Sequence, residues 1–322
     1  MSAAPALAKT LAVGPGGAYA TPCQAFAAAS DGDTIEIDAT GNYAGDVCAI
    51  ARSGLSIRGV GGRAKIDAAG KNAQGKAIWV VQGSDTSVEN IEFSGAKVPD
   101  LNGAGIRQEG KNLSVRGCYF HDNEDGILAG DVAGSEILIE ASEFDRNGAG
   151  DGYSHNLYIN HVAKLTFRYN YSHRAKVGHL LKSRAAENHV LYNRLSAEAE
   201  GTSSYELDLP NGGKSYVIGN VIEQGTLTEN PAMLAFLEEG GNAQNPSDAL
   251  FVVNNTFVNR VGRGSFMLIG SDIEDCASAA QQRVLRQRQL AGASERRRRA
   301  QLCRHQLVLR QCRRLRLPLG RR

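Results

Sequence analysis

Short apolar segments that carry one small polar residue recur along this chain. The intervals between successive polar residues are 28, 24, 28, 23, 27 and 35 residues. Self-similarity at a period of about 20–50 residues is typical of repeat architectures, in which each unit buries its apolar face against its neighbours. The polar residues of this series are Asn90, Cys118, Ser142, Asn170, Asn193, Asn220 and Asn255.

Each repeat has a second short segment upstream of its polar residue. These segments are rich in Ile, Leu and Val and are separated by Gly, Asn and Asp, which favours short strands joined by tight turns. Stacked strands align like residues, so an inward Asn column can form hydrogen bonds to itself along the stack. We predict a β-solenoid, and a β-sandwich with irregularly spaced strands is the alternative. The upstream segments are 105–110, 126–131, 156–161, 179–184, 205–210 and 233–238.

The polar column and the paired strands resemble the right-handed parallel β-helix proteins of the pectate lyase-like superfamily. The resemblance covers residues 35–270 approximately. It implies an all-β, right-handed parallel β-helix with an N-terminal helical cap. This superfamily includes lyases, hydrolases, epimerases and non-catalytic proteins, so the fold leaves the chemistry open.

Three segments are expected along the chain: an irregular leader at 1–18, the β-helix domain with its cap at 19–275, and an Arg-rich tail at 276–322. The sequence after Tyr19 predicts a short helix that covers the open end of the solenoid. Cys23 in this helix and Cys48 can form a disulfide, which would favour an oxidising compartment; two separate buried thiols are the alternative. Cys118 is expected to be a buried free thiol.

The C-terminal segment differs in composition from the rest of the chain. Residues 281–322 contain fourteen Arg, no Lys and only Glu295 as an acid. This segment contributes +13 to the formal net charge of +2, which leaves −11 for residues 1–280. A basic tail can bind nucleic acid, but the Arg bias and the lost repeat pattern favour an out-of-frame translation, so we predict disorder there and no nucleic-acid partner.

The N-terminus lacks the charged and apolar regions of a complete signal peptide, and the chain has no run of 18 apolar residues. We therefore expect no membrane span. The expected protein is a monomer, secreted or periplasmic, with a polysaccharide as its partner.

Alternation along the upstream strands turns many polar side chains outward, because successive side chains of a strand point to opposite faces. If Leu181, Leu207 and Leu209 point into the core, then Leu180 points outward, and so do the polar side chains that alternate with these leucines. The downstream strands show far fewer polar residues, which puts the expected site on the upstream strands. The expected substrate-binding residues are Arg107, Glu109, Asp131, Asn160, Arg174 and Glu206.

Lys182 is the expected general base of a proton abstraction at a uronic acid, with Arg184 neutralising the sugar carboxylate. His155, His179 or Tyr158 would donate a proton to the leaving oxygen. The dipeptide Lys182-Ser183, followed by an Asn, resembles the Lys-Ser signature of the chondroitinase B and alginate lyase family. This resemblance implies that Lys182 is the base.

The chain departs from that family in three places. Asp208 and Glu206 lie where the family has an Arg on the next strand, and Asn188 comes two residues later than the family's Asn. Ala175 and Val177 stand where the family has acidic calcium ligands, so calcium is unsupported and no cofactor is predicted. Asp208 is expected to position hydroxyls or to tune Lys182.

Three other functions are open from the sequence. Glu206 and Asp208, with Asp131 or Glu238, can supply the acid and base of a glycoside hydrolase. A C5-epimerase begins with the same proton abstraction as a lyase, and a non-catalytic polysaccharide-binding or adhesin-type β-helix needs no base. Four His lie within 25 residues, but their spacings of six do not fit a compact zinc pair, so no metal site is predicted.

Overall fold

Three parallel β-sheets wind around a common axis in the computed structural model, which describes residues 8–245 and 247–270 and the backbone of two later strands. Each full turn adds one strand to each sheet, and every strand pairs in parallel with its equivalents one turn before and after. The prediction of an all-β parallel β-helix is confirmed.

The strands and the helix of the described residues are, in chain order, β1 (Thr10–Val13), α1 (Pro22–Ala28), β2 (Thr34–Asp38), β3 (Cys48–Ile50), β4 (Ser56–Val60), β5 (Ala64–Asp67), β6 (Ala77–Val81), β7 (Thr86–Glu89), β8 (Ile91–Ser94), β9 (Ala104–Gln108), β10 (Leu113–Arg116), β11 (Tyr119–His121), β12 (Asp125–Ala129), β13 (Glu136–Glu140), β14 (Glu143–Asp145), β15 (Leu157–Ile159), β16 (Lys164–Arg168), β17 (Tyr171–His173), β18 (Lys182–Ser183), β19 (Glu187–Leu191), β20 (Arg194–Ser196), β21 (Leu207–Leu209), β22 (Lys214–Ile218), β23 (Val221–Gln224), β24 (Ala232–Phe236), β25 (Ala249–Val253), β26 (Thr256–Asn259), β27 (Ser265–Ile269), β28 (Ser278–Ala280) and β29 (Arg283–Arg286).

The strands fall into three sheets. Sheet 1 contains β1, β2, β4, β7, β10, β13, β16, β19, β22, β25 and β28. Sheet 2 contains β3, β6, β9, β12, β15, β18, β21, β24 and β27, and sheet 3 contains β5, β8, β11, β14, β17, β20, β23, β26 and β29. The upstream segments of the sequence repeat therefore build sheet 2.

A column of aromatic rings runs through the core. The ring centroids of Phe93 and Phe120 are 4.9 Å apart and those of Phe120 and Phe144 are 5.0 Å apart, and the two rings of each pair are stacked and nearly parallel. In-register strands lie about 4.8 Å apart, so equivalent side chains stack directly. Each stacked pair adds about 0.5–1.5 kcal/mol to the stabilisation from burial.

The N-terminal cap is present. Helix α1 packs Phe26 against Trp79 at the end of this column, with ring centroids 5.1 Å apart, and a disulfide joins Cys23 to Cys48. Cys118 is a buried free thiol, as expected. The leader contains a strand that we did not expect, because β1 pairs with β2 in sheet 1.

Strands β28 and β29 lie inside the segment predicted to be a disordered tail, and they pair with β25 and β26. The prediction for residues 287–322 lies outside the described residues. Among the residues that the structure describes, no helix is long and apolar enough to cross a membrane.

The polar column forms a hydrogen-bonded ladder between sheet 1 and sheet 3. Asn170 Nδ2 donates to Asn193 Oδ1 at 3.2 Å, and Asn193 Nδ2 donates to Asn220 Oδ1 at 2.9 Å. The ladder continues to Asn255 and begins through the Ser142 side chain, which accepts the Cys118 amide. These buried amides are therefore satisfied within the stack.

Asn90 does not belong to this ladder, contrary to the sequence prediction. The register of β10 on β7 pairs Arg116 with Glu89, which aligns Asn90 with Gly117, one residue before the ladder position. Asn90 has a φ of 58° and Gly117 a φ of 61°. The position before the ladder is thus left-handed in successive turns, and Asn tolerates that conformation.

Candidate active site on sheet 2

The outer face of sheet 2 aligns three polar side chains from successive strands. The register pairs Tyr158 in β15 with Lys182 in β18, and Lys182 with Asp208 in β21. Lys182 Nζ lies 3.2 Å from Asp208 Oδ2 and 5.7 Å from the centre of the Tyr158 ring. Only 12% of the Lys182 side chain is exposed.

Arg184 lies beside Lys182 at the end of β18. Its Nε donates to the Tyr158 hydroxyl at 2.8 Å, and its Nη1 donates to Asn211. Glu239 bridges the two cations: its Oε1 lies 3.3 Å from Lys182 Nζ, and its Oε2 lies 2.7 Å from Arg184 Nη2. The sequence did not indicate Glu239, because it reaches the site from a loop two turns later.

The rings of His155 and His179 stack beside this group, with centroids 4.5 Å apart. His155 Nδ1 accepts a hydrogen bond from the His179 backbone N–H at 3.0 Å, and His179 Nδ1 accepts one from the Tyr205 N–H at 3.1 Å. A neutral imidazole whose Nδ1 accepts carries its proton on Nε2. Both rings therefore present an Nε2–H donor, and that of His179 lies 3.4 Å from Asp208 Oδ2.

Burial sets the charge of these groups. It lowers the pKa of His155 to about 3, with help from the nearby charges of Lys182 and Arg184. Burial, then His155 and Lys182, also holds the pKa of His179 well below its ordinary value. Burial raises the pKa of Asp208 to about 6, although Lys182 favours the charged carboxylate. Near neutral pH the site thus combines uncharged imidazoles with an ionised Asp208.

Asp125 is a member of this group that sequence reasoning missed. It is buried, and its Oδ1 accepts the backbone N–H of His155 at 2.7 Å. Aligning segment 126–131 with segment 156–161 places Asp125 level with His155, and aligning 156–161 with 179–184 places His155 level with His179. The repeat alone could therefore have shown that the three residues form one column.

Four predicted substrate-binding residues lie on strands of sheet 2 or at their ends, away from Lys182. Glu109 pairs with Lys76, and the half-buried Arg107 aligns with Leu128 of the next strand. Asp131 Oδ2 lies 3.5 Å from His161 Nδ1, and Asn160 accepts the backbone N–H of His161. These residues extend the polar face of sheet 2 toward the N-terminal turns.

Arg174 does not join Lys182, contrary to the sequence prediction. It follows β17 of sheet 3, where its Nε and Nη2 donate to the buried Asp145 at 2.8 and 2.7 Å. His173, Arg146 and Tyr119 also contact Asp145. Sheet 3 therefore carries its own dense polar cluster, and the expectation of far fewer polar residues on the downstream strands is wrong there.

Glu206 is fully buried, so its expected role in substrate binding is wrong. Strict alternation fails because β21 begins at Leu207 and Glu206 lies in the preceding turn. Leu180, two residues before β18, is buried for the same reason. Glu206 Oε1 accepts from Ser203 Oγ at 3.3 Å, and its Oε2 has no hydrogen-bond partner.

Replacing Glu206 by Gln is expected to stabilise the folded protein near neutral pH. Burial raises the Glu206 pKa well above its ordinary value of 4.5, so the folded state keeps a proton that the unfolded chain releases as pH rises. The stability difference between Glu206→Gln and wild type should therefore grow with pH above about 4.5, by up to about 1.4 kcal/mol per unit, until the folded carboxyl also ionises. Urea unfolding across pH measures it, with Glu238→Gln as the exposed control. A difference independent of pH would contradict the assignment.

Among the described residues, no group of three or more His, Cys, Asp or Glu side chains is arranged to hold a metal ion. The positions that the alginate lyase resemblance assigns to acidic calcium ligands hold Ala175 and Val177, and Ala175 is buried. Neither side chain offers an oxygen, so these positions do not fit calcium.

Comparison with solved structures finds the same fold. A mutant of AlyGC, a PL6 family alginate lyase, is similar at a TM-score of 0.51 and 14% identity over 88% of this chain and 41% of that chain. The ORF18 protein of Geobacillus virus E2 has a TM-score of 0.48 and 12% identity, over 82% of this chain and 57% of that chain. This chain thus spans about two fifths of the lyase, and such low identities show the fold alone.

No curated protein sequence matches this chain. A family model described as the right handed beta helix region matches residues 53–222, which is more than half of the 322-residue chain. The resemblance to right-handed parallel β-helix proteins is confirmed, and the chain belongs to the right-handed β-helix family.

Proposed function

We propose that this protein is a polysaccharide lyase that cleaves a uronic-acid-containing polysaccharide by β-elimination on the outer face of sheet 2. One observation carries the proposal: a shielded lysine and arginine lie side by side next to two imidazoles whose Nε2–H groups are fixed as donors. These are Lys182, Arg184, His155 and His179.

β-Elimination at a uronate requires three actions, and the site has a group for each. Arg184 neutralises the sugar carboxylate, which stabilises the negative charge that develops when the C5 proton leaves. Lys182 removes that proton as its uncharged amine. The electron pair forms the C4–C5 double bond and expels the oxygen at C4, which takes a proton from the site. No water is consumed.

Three groups can donate a hydrogen bond to the leaving oxygen, and of these the Tyr158 hydroxyl can also transfer its proton. The Nε2–H groups of His155 and His179 are held by backbone contacts at Nδ1, so neither ring can turn its acceptor nitrogen outward. The Tyr158 hydroxyl accepts from Arg184 and so keeps its own proton available for donation. Asp208, with its pKa near 6, positions Lys182 and His179 and can return a proton to the site.

Hydrolysis is less well supported than elimination. A glycoside hydrolase here would use Glu206 and Asp208 as its acid and base. Glu206, however, lies inside the protein, away from the outer face of sheet 2. A retaining or inverting glycosidase needs both carboxyl groups at the substrate.

The fold and the similar alginate lyase structure support a carbohydrate-active protein of this class, and the substrate is part of the proposal. We also propose secretion or export to the periplasm. The disulfide between Cys23 and Cys48 supports it, because such bonds persist in oxidising compartments.

The test is an absorbance assay for the unsaturated uronate product. Purified protein is incubated with alginate, polygalacturonate, glucuronan, chondroitin and hyaluronan, and ultraviolet absorbance is followed together with reducing ends. Elimination on one polymer should raise both signals. Reducing ends without absorbance would indicate hydrolysis. Neither signal, with retardation in a polysaccharide-containing native gel, would indicate a binding protein.

A further inference from the structure

The loop after β24 folds back over the candidate site. Glu239 contacts Lys182, 57 residues earlier in the chain, and the Asn242 side chain contacts His161, 81 residues earlier. Neighbouring turns lie about 4.8 Å apart, so the loop reaches back across two to three turns, or about 10–15 Å of sheet 2. We call residues 237–245 the strap.

Hydrogen bonds to the end of β21 and to the segment after it hold the strap in this position: the Leu237 N–H donates to the Leu209 carbonyl at 3.0 Å, and Asn245 Nδ2 donates to the Asn211 carbonyl at 2.7 Å. The Glu239 N–H donates to the Pro210 carbonyl at 3.0 Å, and Asn211 Nδ2 donates to the Gly240 carbonyl at 3.1 Å. Leu237, where the strap leaves β24, has a φ of 62°, which is uncommon for a residue with a branched side chain. The Glu239 side chain is 47% exposed, while the two cations that it binds are 12% and 15% exposed.

The Glu239 carboxylate forms ion pairs with both cations at once. One oxygen faces Lys182 and the other faces Arg184, so Glu239 covers both the proposed base and the proposed carboxylate clamp. Burial alone would raise the pKa of Glu239, but hydrogen bonds and charges of Arg184 and Lys182 outweigh it and lower the pKa. Glu239 is therefore an anion at neutral pH, and it excludes a second carboxylate from the same pair.

We infer that the strap is autoinhibitory: Glu239 holds the place of a substrate carboxylate, and a uronate chain binds only after displacing it. This inference rests on the proposed function, since it takes Arg184 as the carboxylate clamp and Lys182 as the base beside it. The sugar carboxylate would then pair with Arg184 in place of Glu239, and Lys182 would lose its contact with Glu239 and face the sugar.

The affinity for acidic oligosaccharides tests the inference. Apparent affinity falls in proportion to the fraction of protein in the open, binding-competent state, so Glu239→Gln should bind a uronic-acid trisaccharide about 5–30-fold more tightly than wild type. Trisaccharides of mannuronate, guluronate, galacturonate and glucuronate are titrated by calorimetry, with cellotriose as the neutral probe. Glu238→Gln is the matched control, because Glu238 is the exposed neighbour and forms no ion pair among the described residues.

Tighter binding of an acidic trisaccharide by Glu239→Gln, with no change for Glu238→Gln, supports the inference. Equal affinity in wild type and Glu239→Gln overturns it, as does a failure of every acidic trisaccharide to bind either protein. Hydrogen exchange gives a second measure without ligand: the amides of Glu239 and Gly240 should exchange faster in Glu239→Gln, and unchanged exchange also counts against the strap.

The absorbance assay separates this inference from the proposed function. Elimination by wild type with no effect of Glu239→Gln on binding would support the lyase and contradict autoinhibition by the strap. Tighter binding by Glu239→Gln without an unsaturated product would support autoinhibition and contradict the lyase.

Discussion

Lys182→Ala is expected to lower the rate of β-elimination by about 10²–10⁴-fold, the range that a positioned general base contributes. The amine is the group that takes the C5 proton, and Asp208, its closest neighbour, is held 3.2 Å from it rather than at the substrate. The initial rate of ultraviolet absorbance on the polymer that wild type degrades measures the loss. Circular dichroism checks that the variant is folded.

Lys164→Ala is the matched control, because Lys164 lies on sheet 1 and contacts no residue of the site. It should keep the wild-type rate. Lys182→Met tests the same chemistry with the apolar stem retained, which protects the packing against Tyr158. Wild-type elimination in a folded Lys182→Ala would show that another residue is the base.

Asn193→Ala is expected to lower the free energy of unfolding by about 3–5 kcal/mol. Asn193 Nδ2 donates to the Phe167 carbonyl at 2.8 Å, and its Oδ1 accepts the Asn170 backbone N–H at 2.9 Å. Alanine leaves these buried groups without partners, at about 1–3 kcal/mol each. The ladder bond to Asn220 is lost as well. Urea unfolding at fixed pH measures the sum.

Asn193→Ser should lose less stability than Asn193→Ala, because Ser142 already fills a ladder position and accepts the next amide through its hydroxyl. The surface control is Asn42→Ala, whose effect should stay within about 0.5 kcal/mol. A loss below about 1 kcal/mol for Asn193→Ala would contradict the role that we assign to the ladder.

The position of the ladder was predictable because it depends on the repeat period. A polar residue at every turn of a solenoid has the same surroundings each time, so the pattern in Asn170, Asn193 and Asn220 reports the structure directly. Asn90 shows the limit of this reasoning. It has the same residue type and nearly the same spacing, but it lies one position earlier, where a left-handed turn rather than the ladder uses the Asn.

The residues on the outer face of sheet 2 were predictable only within the strands. The alternation of inward and outward side chains correctly predicted that Lys182 points outward, because Lys182 lies in β18. It failed at Glu206 and Leu180, which lie in turns before the strands begin, where side-chain direction follows the path of the turn. Strand ends depend on pairing with the neighbouring turns, and a single repeat read by itself does not show them.

The sequence by itself determined the stacked parallel strands, the Asn ladder and the helical cap, because each repeats or follows a local rule of spacing and composition. Only the tertiary structure decided which groups meet Lys182. Glu239 comes from two turns away, and the Nδ1 atoms of His155 and His179 accept hydrogen bonds from backbone N–H groups of the next turn. Such contacts depend on how far each loop extends and on the order in which turns stack, and no local spacing encodes either one.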